Sequence, residues 1–362
     1  MQRALLNGKL RLDRMKIVSN SRKRIIGVDL VKVFACFSVI LLHTSMPFFY
    51  SNQTFKIGNF SIISEILYYA GTAAVPLFFM ANGFFLINRS KMSYRYIYTK
   101  IGLILVPVFG WNAILYLTKF LLGKNQENYL IIVGKSFLQR GFFFQFWFLG
   151  ALIIMLLLVP IFNSIIKRSI KLFSVIMLLC LLISWGFDLY NHFSGQMPIQ
   201  KSVIQTFRLW TWNSYYMAGG LIGFYYRRDG FSKIKKWIGY VLGITSVLML
   251  IYSILNLRLV KTPFAEYNYD NILIFFWINF IFLCCVFIPR FSTTQAKIIE
   301  SISKYSFGIY IVHVIVLKIF EKLLGTSGIF INLVTIIGVF IGSWIITYVM
   351  AKIPYLNKLV VF

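Results

Sequence analysis

An all-α, polytopic membrane helix bundle of about ten transmembrane helices, with both termini cytoplasmic, is the fold this sequence predicts. Three observations carry that expectation. Hydrophobic residues make up 59% of the 362 positions and charged residues 13%, with a mean hydropathy of +0.77. A water-soluble domain is about a quarter charged, so this chain lacks the polar surface that water demands. The apolar residues fall in runs of about 20, the length that crosses a hydrocarbon core. Cations outnumber acids, 37 Lys+Arg against 10 Asp+Glu, and they gather in alternate connections. The composition argues against disorder, a secreted disulfide scaffold and a cytosolic enzyme. The cations sit in topology-setting loops and not on a soluble basic patch, so nucleic acid is not an expected partner.

Residues 1–27 read as a basic cytoplasmic tail ending in Arg22-Lys23-Arg24, within which Met15 is itself a plausible start. The first apolar run is too long for a cleaved leader and no small-x-small site follows it, so it reads as a retained anchor. A transmembrane domain is expected over 28–351 and a short cytoplasmic C-terminus over 352–362. Within that domain the spanning segments are 28–47, 65–87, 101–122, 147–166, 172–190, 207–226, 237–256, 271–289, 304–322 and 329–351. No segment alternates as barrel strands do, and backbone satisfaction in lipid then demands helices. One set of alternate connections, with the two ends, holds 25 Lys and Arg; the other side holds 11. The excess marks the cytoplasmic face and a multi-pass protein of the plasma membrane. The connections 47–64, 123–146, 191–206 and 257–270 form the outer surface. No internal repeat of the transporter kind is visible. Abundant Lys, Ile and Asn suit a bacterial source.

Ionisable residues inside a membrane are functional candidates because their burial is expensive. The first span carries Asp29, Lys32 and His43. At ~100° per residue, Lys32 and His43 fall roughly 20° apart in azimuth and about 16 Å apart along the axis. Asp29 shares that face, which must look into the bundle or a cavity. Asp29 and Lys32, three residues apart, are placed to neutralise each other. Lys32 admits two readings, snorkelling to the interface or serving a site. His43 sits deeper, as part of a polar pathway or as one half of a helix–helix hydrogen bond. Cys36, Cys180, Cys284 and Cys285 lie in apolar stretches and read as small buried hydrophobes. No metal-ligand cluster and no phosphate loop is present, and no metal is expected.

The segment RIIGVDLVKVFACFSVILLH, residues 24–43, resembles the opening of the acyltransferase family 3 membrane O-acyltransferases. These begin with an Arg-rich stretch, an Asp near the helix start and a basic residue before a His. Further segments resemble the family in order: PLFFMANGFFL at 76–86, with Asn82 where Ser is usual; KIGLILVPVFGWN at 100–112; and FWFLGALIIMLLLVP at 146–160 with Trp147. YYMAGGLIGFYYRR at 215–228 and SKYSFGIYIVHVIVL at 303–317 complete the set. The family's second basic residue would fall at Leu103, so only Lys100 is retained there.

The resemblance implies transfer of an acyl group, often acetyl, from cytosolic acyl-CoA to a hydroxyl of a surface polysaccharide, cell-wall or lipid-linked sugar. No bound cofactor is implied; acyl-CoA is the donor substrate. His43 is then the catalytic base, with Lys32 and Asp29 in the same constellation. Lys32 and Lys100 are candidates for the CoA phosphates. Asn82, Trp147, Ser306, Tyr310 and His313 are a supporting polar group. Ser306, Tyr310 and His313 share one helical face, and either glue helices together or serve the site. Trp147 is an interface anchor or a site residue. Gly219-x-x-x-Gly223 permits close helix packing, and His192 is expected to be solvated in an outer loop. The remaining partners are the bilayer, the glycan acceptor and glycan-synthesis proteins. Export of a surface polysaccharide such as poly-N-acetylglucosamine is the alternative, because export proteins of that kind resemble the same family.

Overall fold

The computed structural model describes residues 24–50, 62–125, 127–194, 198–228, 235–260, 264–287 and 291–361. Among them every regular element is helical. Most of the basic tail, with Met15, and most of the connection 47–64 lie outside the described residues. In chain order the helices are α1 (Ile26–Tyr50), α2 (Ile62–Ala70), α3 (Ala74–Leu86), α4 (Tyr94–Leu121) and α5 (Tyr129–Phe137). Then come α6 (Trp147–Arg168), α7 (Ile170–Phe193), α8 (Leu209–Tyr226), α9 (Ile238–Val260) and α10 (Ile272–Phe287). The last three are α11 (Thr293–Lys304), α12 (Ser306–Leu324) and α13 (Ile329–Met350).

The ten expected segments are helical over most of their described residues, 65–87 as two helices, and the capping is local chemistry. Ser93 starts α4 by accepting from the Tyr96 amide, and Ser169 starts α7 by accepting from Leu172. Ser292 and Gln295 form a reciprocal capping box at α11. Seven helical stretches are long and apolar enough to cross a membrane: Ile26–Met46, Ile63–Leu86, Tyr94–Leu121, Phe144–Arg168, Ile170–Phe193, Lys235–Asn256 and Ile329–Met350. The helix α10 is apolar but shorter, with 16 residues. The helices α8 and α12 are not among the seven: α8 is diluted by polar residues such as Thr211, Asn213 and Ser214, and α12 carries Lys318, Glu321 and Lys322 in its last two turns. Two short helices, α5 and α11, occupy segments expected as plain connections. His192 is a correction: it lies in the last turn of α7, where its Nδ1 is 2.7 Å from the Asp188 carbonyl oxygen.

The core is built around α1, α3, α8 and α12. The spacing Gly219-x-x-x-Gly223 lets the backbones of α8 and α3 touch. A Cβ on Gly219 would lie 2.5 Å from the Met80 Cα, and one on Gly223 would lie 2.6 Å from the Phe84 carbonyl oxygen. Asn88 locks the same pair by donating to the Gly220 carbonyl oxygen at 2.7 Å. A 3-10 turn, Gly71–Ala73, separates α2 from α3, and Gly71 passes against the backbone of Leu42 on α1. The basic loops meet at one end of the bundle. There Arg227 donates to the Asn88 carbonyl oxygen at 2.5 Å and Lys167 to that of Ser90 at 2.9 Å. The segment after α13 folds back: Trp111 on α4 donates to the Leu359 carbonyl oxygen at 3.1 Å, and Val360 is buried against Gly308 on α12.

Candidate functional site

The helix α1 is continuous from Ile26 to Tyr50, so the stripe Asp29, Lys32 and His43 exists as the sequence spaced it. It faces the α11–α12 pair, and the two stripes rise together. Ser303 donates to Asp29 Oδ1 at 2.6 Å, Cys36 donates to the Ser306 carbonyl oxygen at 3.5 Å, and the rings of His43 and His313 stand 5.3 Å apart. These contacts, one from α11 and two from α12, follow α1 in step and place the expected residues of α1 and α12 on one seam.

A cavity of about 250 Å³ opens beside this seam. Arg24, Lys32, Ser303 and Lys304 line its polar side, and Asn82, Ser306 and Tyr310 line it further in. Phe78, Phe148, Leu152 and Ile104 supply apolar walls, and Val361 of the folded-back terminal segment closes one side. Lys32 and Lys304 face this space with no carboxylate partner among the described residues, which makes it suited to an anion with an apolar or amide extension; Arg24 is paired with Asp29 and Glu300. Lys32 has neither a hydrogen bond nor an ion pair with any described residue.

Asp29 differs from expectation. It is buried, and its carboxylate oxygens are taken by Arg24 Nε at 2.5 Å and by Ser303. Arg24 in turn bonds Glu300 at 2.5 Å. The guanidinium reaches back from the end of the helix and saturates the carboxylate with the α11 hydroxyl. Asp29 therefore ties α1 to α11 and leaves Lys32 to the cavity.

The inner end of the site is a pair of imidazoles. His313 is wholly buried, and its Nδ1 lies 2.6 Å from the Tyr310 carbonyl oxygen. His43 is only partly buried and rests edge-on against Phe144, ring centres 5.5 Å apart. Phe144 belongs to a 3-10 turn, Phe144–Phe146, that leads into α6. The Tyr310 hydroxyl donates to the Gln145 carbonyl oxygen in that turn. Tyr310 thus joins both parts: it lines the cavity, and its neighbours one turn on are His313 and Gln145.

The other expected residues divide. Asn82 lines the cavity while its amide nitrogen donates to the Phe78 carbonyl oxygen of its own helix at 2.9 Å. Trp147 is buried at 6% exposure, with its ring 5.3 Å from that of Trp212 on α8, so it is a core residue behind the site and not an interface anchor. Lys100 lies within electrostatic reach of Lys32 and Arg89 but is not part of the cavity wall. Leu103 is 43% exposed on the outside of α4, so a leucine there leaves no gap in the site. Sequence reasoning missed Gln145, Ser303 and Lys304. Gln145 carried a visible signal, a lone amide in the run FFFQFWFLGAL.

The acyltransferase-3 family model, described as "Acyltransferase domain", matches residues 25–352. The chain belongs to this acyltransferase family. A Staphylococcus aureus protein named "Probable poly-beta-1,6-N-acetyl-D-glucosamine export protein" is 24% identical over 300 residues, covering 74% of this chain and 79% of that protein. An Enterococcus faecalis "Amino-acid racemase" is 29% identical over 207 residues, 53% of this chain and 27% of the racemase. A second from the same organism is 31% identical over 133 residues. The chain spans about a quarter or less of the length of these racemases. No solved structure matches it. The family match embraces the α1 stripe, the imidazole pair and the cavity lining except Arg24 and Val361, which lie just outside its two ends.

Proposed function

We propose that this protein is an integral membrane O-acyltransferase of the bacterial plasma membrane. It moves an acyl group, acetyl in the simplest case, from cytosolic acyl-CoA to a hydroxyl of a surface polysaccharide, cell-wall or lipid-linked sugar. The observation that carries the reading is the cavity that runs from Arg24, Lys32 and Lys304 to Tyr310, with the His43–His313 pair one turn beyond. The ten apolar helices cross the membrane with the basic loops and both chain ends in the cytosol, where CoA is found. Lys32, with Arg24 and Lys304, meets the CoA phosphates, and the thioester lies deeper. Lys100 adds to the field that attracts the donor.

At the inner end His43 accepts the proton of the attacking hydroxyl. The hydroxyl oxygen forms a new bond to the thioester carbonyl carbon, the carbon–sulfur bond breaks, and the CoA thiolate leaves. The imidazolium then returns its proton to the thiolate, which restores neutral His43 and releases CoA–SH. General-base assistance of this kind contributes about 10²–10⁴-fold in rate.

The test uses purified protein in nanodiscs with radiolabelled acetyl-CoA, following CoA release and label transfer, with His43→Ala alongside. Activity that falls by at least 100-fold in a normally folded variant is the expected result. Wild-type turnover by His43→Ala refutes the base assignment. The export reading draws on the 74% coverage of this chain by the staphylococcal match. Folded wild-type protein that releases no CoA with any acyl donor or glycan gives that reading the preference.

A further inference from the structure

Two hydrogen-bond acceptors beside the imidazole pair are buried and unmet. Gln145 is 1% exposed and His313 0%. The Gln145 amide nitrogen faces the Ile311 carbonyl oxygen at 3.5 Å. A carbonyl only accepts, so this contact fixes the orientation of the amide and turns Oε1 the other way. That oxygen has no partner among the described residues. The same logic holds for His313. Its Nδ1 faces the Tyr310 carbonyl oxygen, so the proton sits on Nδ1 and Nε2 is a bare lone pair. Nε2 also has no partner among the described residues. A buried polar atom left unmet costs about 1–3 kcal/mol, and native interiors rarely keep one without a reason. These two come from elements that touch, since the Tyr310 hydroxyl bonds the Gln145 backbone and Gln145 reaches Ile311. The His313 ring stands beside that of His43, and Phe144, the residue before Gln145, packs against His43.

The two ends of the site therefore ask for opposite chemistry. The cavity offers two cations, Lys32 and Lys304, with no carboxylate partner among the described residues. The imidazole end offers lone pairs. An anion suits the first and is repelled by the second. A neutral ligand rich in O–H or N–H donors suits the second.

We propose that Gln145, with His313, binds and orients the glycan acceptor. Gln145 Oε1 and His313 Nε2 each accept from a hydroxyl or amide N–H of one sugar unit, which brings an adjacent hydroxyl to His43. The acceptor is accordingly an uncharged, polyhydroxylated sugar and not a phosphorylated or carboxylated one at the position that enters. The role of that adjacent hydroxyl rests on the O-acyltransferase reading; the sugar-binding role of Gln145 does not.

The experiment is calorimetric binding to the full chain in nanodiscs. The saccharide probes are a β-1,6-linked N-acetylglucosamine pentasaccharide and cellopentaose, and CoA is the probe of the cationic end. Gln145→Met keeps the volume and removes the acceptor atom. Gln145→Asn keeps the amide one methylene shorter. We expect Gln145→Met to weaken saccharide binding at least tenfold, Gln145→Asn to recover part of the loss, and CoA affinity to stay within twofold throughout. Retained CoA binding also reports that the variant is folded. Equal saccharide affinity in wild type and Gln145→Met means that water alone fills the two acceptors, and overturns the proposal. So does binding of neither saccharide to the wild type, or a parallel loss of CoA. Absence of CoA release from acetyl-CoA by the wild type removes the acyltransferase reading, while the binding comparison still decides Gln145.

Discussion

Replacing Gly219 with alanine tests whether the contact between α3 and α8 sets the shape of the cavity. The added Cβ would lie 2.5 Å from the Met80 Cα, on backbone that has no rotamer to yield. Non-bonded carbons settle at about 3.5–4.0 Å, so the two helices must separate by about 1 Å. Overpacking of this kind costs about 1–3 kcal/mol, and the upper end applies because backbone meets backbone. The displacement reaches the site from two sides. The helix α3 carries Phe78, Ala81 and Asn82 of the cavity wall, and α8 carries Trp212, against which Trp147 packs. A misplacement of about 1 Å at a reacting centre lowers rate by up to ~10²-fold. The assay pairs thermal unfolding in detergent with acetyl-CoA turnover, and uses Gly186→Ala as control, because nothing lies within 4 Å of a Cβ at that glycine. The expected result is lower thermal stability and lower activity for Gly219→Ala and neither for Gly186→Ala. Wild-type stability in Gly219→Ala would refute the argument that this helix pair is closed on backbone contact.

Two further outcomes follow from the charged groups. Lys32→Ala should raise the KM for acetyl-CoA roughly tenfold or more, because a hydrogen bond to a charged group contributes about 1.5–3 kcal/mol. It should leave transfer from acetyl-pantetheine, which has no phosphates, nearly unchanged; equal effects on both donors would return Lys32 to an interfacial role. At the opposite end, burial pushes the Glu266 carboxyl above its ordinary value, and Arg208, Gln139 and Gln205 draw it back in part. A carboxyl raised on folding favours the native state only while protonated, so its contribution falls as pH rises from the unfolded value through the folded one. The melting temperature of wild type relative to Glu266→Gln should therefore decline across that window and then level off. A constant difference from pH 4 to 8 would show that Glu266 does not titrate there.

What the sequence by itself determined is what local composition controls. In lipid a segment must satisfy its own backbone, so a run of about 20 apolar residues has one outcome. For that reason the expected segments are helical where the structure describes them, and Lys32 and His43 share the α1 stripe that the helical period assigns them. The face of α12 bearing Ser306, Tyr310 and His313 was legible on the same ground. Packing was legible only where small residues announce it, as at Gly219 and Gly223.

Only the tertiary structure decided which polar group meets which. Asp29 pairs with Arg24, five residues back, and takes as its second partner Ser303, 274 residues away. That choice depends on α11 crossing α1, and no local period encodes a crossing. Trp147 is a core residue and not an interface anchor because α8 covers it. Gln145 joins the site because its 3-10 turn docks on Tyr310 and Ile311. A polar side chain inside a membrane must be paired or functional. The sequence can say that the obligation exists, and only the arrangement of helices says how it is met.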